Sequence, residues 1–286
     1  MSSSDAAPGA LYDRVARDSA SRVIAGYSTS FGWASRLLDE PVRTDVRSIY
    51  ALVRLADEIV DDPDPRLRPE DRARLLAELE QQTGAALAGE RSTNLVVHAF
   101  ALAAREHGID AGLVDPFFRS MRADLTVTAH DAASLDTYIH GSAEVVGLMC
   151  LRVFVGGDES SFTRLRDPAV HLAAAFQKVN FLRDLAEDHS HLGRTYGPEL
   201  DFDVFDDARR DAALDQIDAD LRSAAQGIPQ LPPSSRRAVA AAHGLYRELA
   251  LRLRRTPSAQ IRVRRVRVPG PVKARVLASA LLGGGR

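Results

Sequence analysis

The chain has 286 residues, 45% of them hydrophobic, and a formal net charge of −2. This is enough apolar material for one large core, and the near-neutral balance excludes a global pull toward nucleic acid or an anionic membrane. The single cysteine, Cys150, excludes an intramolecular disulfide framework and fits a reducing compartment.

The N-terminus, MSSSDAAPGALYDR, lacks a basic start followed by an apolar run, so no signal peptide is read, and residues 1–10 are expected to be disordered. Helix signals then succeed one another to the end of the chain. Helices are expected near 10–26, 28–38, 41–62, 69–89, 93–106, 115–128, 133–156, 160–189, 205–226, 232–256 and 269–282. Pro41 can open the third, and Pro63 and Pro65 can stop it. Asp115-Pro116 and Asp167-Pro168 each set a capping side chain before a proline suited to a first helical turn. Apart from short runs such as Ile261-Arg262-Val263, strand alternation and hairpin turn pairs are missing. No stretch approaches the roughly 18 apolar residues of a spanning helix, and neither a linker nor a fixed repeat divides the chain. The expectation is one all-α domain over residues 1–286, soluble and cytoplasmic, with peripheral membrane contact left open. Residues 257–286 form its basic C-terminal segment and helix.

Two of these helices carry charge where it does not belong. In "YALVRLADEIVDD" (50–62), at about 100° per residue, Tyr50, Arg54, Asp57 and Asp61 share one narrow stripe. Ile49, Leu52, Val53, Leu55, Ala56, Ile59 and Val60 fill most of the remaining circumference. A surface helix has the opposite proportions. In "AAFQKVNFLRDLAEDHSHLGRTY" (174–196), Gln177, Asn180, Asp184 and Asp188 form a second stripe between apolar flanks, with Arg183 and Glu187 on an adjoining side. A single i/i+4 carboxylate pair is ordinarily a solvated face, but a solvated stripe needs no apolar flank on either side. Buried carboxylates cost several kcal/mol each unless paired or bound to a cation. Two such stripes facing across a cavity would gather four carboxylates with too few basic groups, and a divalent cation is the natural partner. An all-oxygen set suits Mg²⁺ or Mn²⁺. A helical di-iron site would need Glu-x-x-His, and no glutamate here has a histidine three residues on. His189 and His191 are read as surface residues. Mg²⁺ commonly bridges to substrate phosphates, and neighbouring arginines would bind phosphate oxygens. The residues thus point to a buried, metal-dependent diphosphate site in a helical bundle.

These motifs resemble those of the trans-isoprenyl diphosphate synthases, and in detail the squalene/phytoene synthase branch, which joins two prenyl diphosphates head to head. Tyr50, Ala51, Arg54, Asp57, Glu58 and Asp61 match its first motif, and Gln177, Asn180, Arg183, Asp184, Glu187 and Asp188 its second. Gly193-Arg194-Thr195-Tyr196, "YSTSF" (27–31), "MRADLTVT", "YIHGSAEVVG", Tyr246 and "RRVRVPGPVK" are similar to further family elements, so the resemblance spans most of residues 27–275 and is greatest to bacterial phytoene synthases. The chain departs from the family at Glu58 (commonly aspartate), at Glu144 (often glycine), at His140 (often aromatic) and at Gly197. The second and third of these are expected to bear on pocket shape.

The resemblance implies an isoprenoid-synthase-type helical bundle with a central cavity. It implies condensation of two geranylgeranyl diphosphates to phytoene through a cyclopropyl diphosphate, with no NADPH required. Asp57, Asp61, Asn180, Asp184 and Asp188 would hold Mg²⁺ or Mn²⁺. Arg54, Arg183, Arg194 and Arg265 would clamp phosphate oxygens, Tyr50 and Tyr196 would orient a diphosphate, and Ser28, Gln177 and Tyr246 would touch substrate. Phe154, Phe176 and Phe181 could wall a water-excluding chamber. Two alternatives remain in view: a squalene or dehydrosqualene synthase using farnesyl diphosphate, and a non-catalytic scaffold of the same fold. A nucleic-acid-binding role for the basic cluster Arg252–Arg275 lacks the interleaved aromatics that stack on bases, and no nucleic-acid partner is expected. The cluster is read instead as a clamp or a membrane-facing surface.

Overall fold

The computed structural model of the protein describes residues 9–27, 30–62, 64, 66–192 and 194–281. The expected disorder before residue 9, the site role of Ser28, the helix stops at Pro63 and Pro65, and Gly193 lie outside them. The described residues form α1 (Ala10–Tyr27), α2 (Ser30–Ser35), α3 (Val42–Asp61), α4 (Pro69–Leu87), α5 (Leu95–His107), α6 (Ala111–Ala123), α7 (Ala132–Ile139) and α8 (Val145–Phe154). There follow α9 (Glu159–Glu187), α10 (Asp207–Ala225), α11 (Pro233–Arg254), α12 (Ser258–Ile261) and α13 (Gly270–Leu281). The all-α expectation holds, and no helix is long and apolar enough to cross a membrane among the described residues.

Local chemistry explains most boundaries. Asn94 caps α5 by accepting from the backbone N–H groups of Val96 and Val97, and Gly108, at φ 70°, ends it in the left-handed conformation. Asp131, Asp158 and Asp206 cap α7, α9 and α10 in the same way. The expected start of α6 and the expected caps at Asp115 and Asp167 are corrected, while the helix start expected near 160 holds. α6 begins at Ala111 under an Asp110 cap, and α9 at Glu159 under Asp158, so Pro116 and Pro168 both sit inside helices. Burial outweighs the lost backbone bond: Val114, Phe117, Phe118 and Met121 of α6 are all buried in the core. The expected continuous helix 133–156 is also corrected. It is broken by a π-helical turn, His140–Glu144, and a second such turn, Asp188–Leu192, ends α9. Ile261 closes α12 and is followed by a turn, so the beta-like run there forms no strand. One strand pair does exist: β1 (Ala129–His130) runs parallel to β2 (Thr195–Tyr196) over two residues each.

The core divides around a cavity. On one side α3, α4, α5, α6 and α8 bury Leu52, Leu76, Phe100, Phe117, Phe118 and Met149. On the other, α9, α10 and α11 bury Val179, Leu182, Leu214, Ile217 and Leu253. A third cluster, with Leu148, Leu151, Phe162, Leu165, Leu231 and Val239, joins the two at one end. α8 contacts both sides and carries the wall between them. Its π-helical entry is pinned by Gly141, where an added Cβ would stand 2.3 Å from the Pro116 carbonyl oxygen and 2.1 Å from Ser120 Oγ.

Gly141→Ala should therefore destabilise the protein by about 1–3 kcal/mol, since a backbone carbonyl cannot yield. Gly84→Ala, at a helical position with open space around it, should be neutral or stabilising by up to about 1 kcal/mol. Urea midpoints of the two variants at unchanged m-value check this pair; equal midpoints would refute the packing account.

Candidate active site

The cavity encloses about 940 Å³. One wall runs from the end of α7 through the π turn into α8: Tyr138, Ser142, Val146, Cys150 and Phe154, each four residues apart, all line it. One end is apolar, with Leu151, Phe154, Leu165 and Val239. The other end is where the two anomalous stripes meet. α3 presents Tyr50, Arg54, Asp57 and Asp61, and α9 with its π turn presents Gln177, Asn180, Asp184 and Asp188, all onto the cavity. Arg183, Arg194, Tyr196, Tyr246 and Arg265 line it as well, as do Phe154, Phe176 and Phe181. The apolar flanks noted in the sequence are explained: each stripe lines the cavity, and the flanks pack into the two half-cores.

Burial, with a neighbouring carboxylate adding to it, raises the proton affinity of Asp57 and Asp188. Burial, then the nearby Asp61 carboxylate, pushes Asp57 up to about 7. Burial, then Asp184, does the same to Asp188, also to about 7. Asn180 Oδ1 is buried without a hydrogen-bond partner. Acids that repel one another beside an unused amide oxygen form a donor set suited to a hard dication. The carboxylates of the two stripes are not drawn together around a single point. That spacing agrees with Mg²⁺, which takes few protein ligands and completes its shell with water and phosphate.

Asp184 is held by two guanidinium groups. Arg183 Nε donates to its Oδ1 at 2.8 Å, and a second short contact joins Arg183 Nη2 to Oδ2. From the far side, Arg265 Nε lies 2.7 Å from Oδ1 and Nη2 donates to Oδ2 at 3.2 Å, while Arg265 also reaches Glu187 at 3.4 Å. Arg265 belongs to the strap between α12 and α13; Val266, Arg267 and Val268 of this strap also line the cavity. Arg54 pairs with Glu58 on its own helix and lies 4.5 Å over the Tyr27 ring. Other members of the C-terminal basic cluster are engaged elsewhere: Arg252 donates to Glu248, and Arg254 to Asp215 and Asp218.

Arg194 is placed differently from a free clamp. Thr195 N–H donates to the Thr128 carbonyl at 2.8 Å and starts the β1–β2 pairing. This brings Arg194 against Asp124, where Nη2 donates to the Asp124 carbonyl at 2.9 Å and Nη1 stands 3.6 Å from Oδ1. Nη1 also lies 2.9 Å from Asp61 Oδ1, a charge contact that lacks hydrogen-bond geometry. Burial works against the Arg194 charge, but Asp124 and Asp61 outweigh it and hold the guanidinium protonated. Arg194 is thus an internal counter-ion, 8% exposed, that ties the end of α3 to the 124–130 loop.

Two residues of the site were not singled out in the sequence, Asp124 and Tyr138. Tyr138 donates to Asp124 Oδ2 at 3.2 Å, and burial raises Asp124 to about 6 against the pull of Arg194. Their stretches, "MRADLTVT" and "YIHGSAEVVG", carried the family resemblance, but nothing in spacing joins a loop aspartate to a tyrosine fourteen residues later. Tyr138, Phe181 and Tyr196 form an aromatic layer beside the acids, with Phe181 and Tyr196 stacked at 3.8 Å. Tyr246 stacks on Phe176, also at 3.8 Å. The expectation that His140 and Glu144 shape the pocket is corrected. They pair with each other at 2.9 Å and do not line the cavity, because the π turn directs Ser142 and Ala143 inward instead. His189 stacks on Phe202.

The chain is similar to known proteins over nearly its whole length. The family model for squalene/phytoene synthase matches residues 24–271. A phytoene synthase from Pseudescherichia vulneris is 30% identical over 261 residues, covering 83% of this chain and 82% of that protein. A 15-cis-phytoene synthase from Paracoccus sp. is 30% identical over 246 residues, covering 80% and 79%. The crystal structure of a dehydrosqualene synthase in complex with ligand superposes with a TM-score of 0.81 at 21% identity, covering 97% of this chain and 99% of that one. The fold is that of the isoprenoid-synthase helical bundles, and the chain belongs to the squalene/phytoene synthase family.

Proposed function

We propose that the protein is a head-to-head prenyltransferase that condenses two geranylgeranyl diphosphates to phytoene through a cyclopropyl diphosphate, releasing diphosphate. One observation carries this reading: two aspartate stripes line the polar end of a cavity whose remaining wall is mostly apolar. The polar end suits a diphosphate and the long apolar remainder suits prenyl chains. Asp57, Asp61, Asp184, Asp188 and Asn180 would hold Mg²⁺. When bound, the cation supplies Lewis-acid withdrawal of charge from the leaving diphosphate. Arg183, Arg265 and Arg54 supply guanidinium donors for phosphate oxygens; Arg183 and Arg265, now paired with Asp184, would turn to them if Asp184 held a cation instead. Tyr50 and Tyr196 orient the diphosphate, and Ser28 and Gln177 touch the substrate near the reacting carbons. Tyr246 and the stacked Phe176, with Phe181, keep water from a carbocation. Arg194 and Asp124 hold the acids in register. The likeness to bacterial phytoene synthases supports geranylgeranyl over farnesyl chains, and proton loss as the last step needs no nicotinamide.

Supplying geranylgeranyl and farnesyl diphosphates separately, with Mg²⁺, with and without NADPH, should give phytoene from the former without NADPH. Preference for farnesyl diphosphate or a strict NADPH requirement would assign the chain to the squalene or dehydrosqualene side instead. Asp57→Asn and Asp184→Asn should each lower turnover by at least about 10²-fold, the loss typical of one essential electrostatic group. Full activity in excess chelator would overturn the cation requirement.

The same acids bear on stability. Asp57 and Asp188 bind protons more tightly in the folded chain than in the unfolded one. Their contribution is fully present below the unfolded value, about pH 4, and is lost as pH rises through about 7. Metal-free protein should therefore lose thermal stability between about pH 4 and 7. Asp57→Asn should flatten that slope and raise the melting temperature at pH 8 while abolishing turnover. An unchanged slope in calorimetry would show that Asp57 does not hold its proton in the folded chain as described.

A further inference from the structure

Among the described residues, one group of His, Asp and Glu side chains gathers its donor atoms closely enough for a single metal ion, and it lies outside the cavity. It consists of Asp45 on α3 with Glu106 and His107 at the end of α5, one donor atom from each within 4.8 Å of the others. Asp45 precedes Asp57 by twelve residues, about 18 Å of helix, so this cluster is remote from the two aspartate stripes.

Burial and incomplete bonding set it apart from an ordinary ion pair. Asp45 is 0% exposed and His107 is 7% exposed. His107 Nε2 lies 3.0 Å from Asp45 Oδ2. Yet Asp45 Oδ1 and His107 Nδ1 are both buried with no hydrogen-bond partner. A buried carboxylate and imidazole that each leave one lone pair or proton unused are costly unless something else binds there. Glu106 keeps half of its side chain exposed and, among the described residues, makes one ion-pair contact, with Arg17 of α1 at 3.6 Å. Arg17 and Thr44, the neighbour of Asp45, line a separate polar cleft of about 440 Å³ with Asp13, Asp18 and Ser21.

We infer that Asp45, Glu106 and His107 form a second metal site, for a transition-metal dication of the zinc type. One imidazole nitrogen with two carboxylate oxygens is a borderline donor set, unlike the all-oxygen stripes in the cavity that suit Mg²⁺. Three protein donors leave the remaining positions to water. The ion ties the first turn of α3 to the end of α5. Because the unfolded chain holds no such arrangement, binding stabilises the fold.

The test uses the full chain stripped of metal, with Co²⁺ alone as the probe because its visible absorption reports nitrogen and oxygen ligation. Asp57→Asn/Asp184→Asn removes competition from the cavity. One equivalent of Co²⁺ should bind to this double variant with a ligand-field band and a raised melting temperature. Adding Glu106→Gln, at an exposed position that folding tolerates, should weaken binding by about tenfold or more, and adding His107→Gln should remove the band. Equal Co²⁺ affinity with and without Glu106, or no band at millimolar Co²⁺, overturns the site and leaves a hydrogen-bonded Asp–His pair completed by water.

Discussion

The structure is organised around one electrostatic conflict, carboxylates gathered inside an apolar bundle. Water would solvate these groups well; the chamber cannot. Asp57 and Asp188 respond by holding protons to about pH 7, and Asp184 and Asp61 respond by recruiting guanidinium groups. The conflict is sustained because the two helices that carry the acids are anchored by their other faces. α3 buries Ile49, Leu52, Ala56 and Val60 against α4, α5 and α6, and α9 buries Val179, Leu182 and Leu185 against α10 and α11. Neither helix can rotate its acids into water without emptying a half-core, which would cost several kcal/mol.

Three further devices complete the polar end, and each comes from backbone rather than from the helical period. The two-residue β1–β2 pairing delivers Arg194 to Asp124. The π turn at His140–Glu144 shifts the register between Tyr138 and α8, so that Tyr138 meets Asp124 while Ser142 and Val146 continue the cavity wall. The strap after α12 returns to lay Arg265 on Asp184. A bundle of straight, ideal helices would present the two stripes but not these cross-links. Such departures from regular geometry concentrate where chemistry is done.

The arginines divide by accessibility. Arg194 is nearly buried and holds two acids and a backbone carbonyl at once, which fits a fixed counter-ion. Arg265, about one-third exposed on the strap, can exchange one anionic partner for another. The two had looked equivalent in the sequence, as cations near a diphosphate motif. Their difference arises from where the chain crosses itself.

How much of this was legible beforehand follows from the range of each interaction. The stripes on α3 and α9, the all-helical class and the acidic, metal-suited character of the site depend on helical period and side-chain chemistry within one element, and the sequence by itself determined them. The start of α3 at Pro41 was legible too, but the caps expected at Asp115 and Asp167 were not formed, because buried aromatic and aliphatic neighbours outweigh the one backbone bond that Pro116 or Pro168 removes. The pairing of Asp124 with Tyr138, the internal role of Arg194, the outward turn of His140 and Glu144, and the meeting of Asp45 with Glu106 and His107 were decided only by tertiary structure. Asp124 with Tyr138, Arg194 with Asp124 and Asp61, and Asp45 with His107 join residues whose separation in sequence carries no period, so only the packed bundle brings them together; His140 and Glu144 are four residues apart, and it is the π turn that sets which way they point.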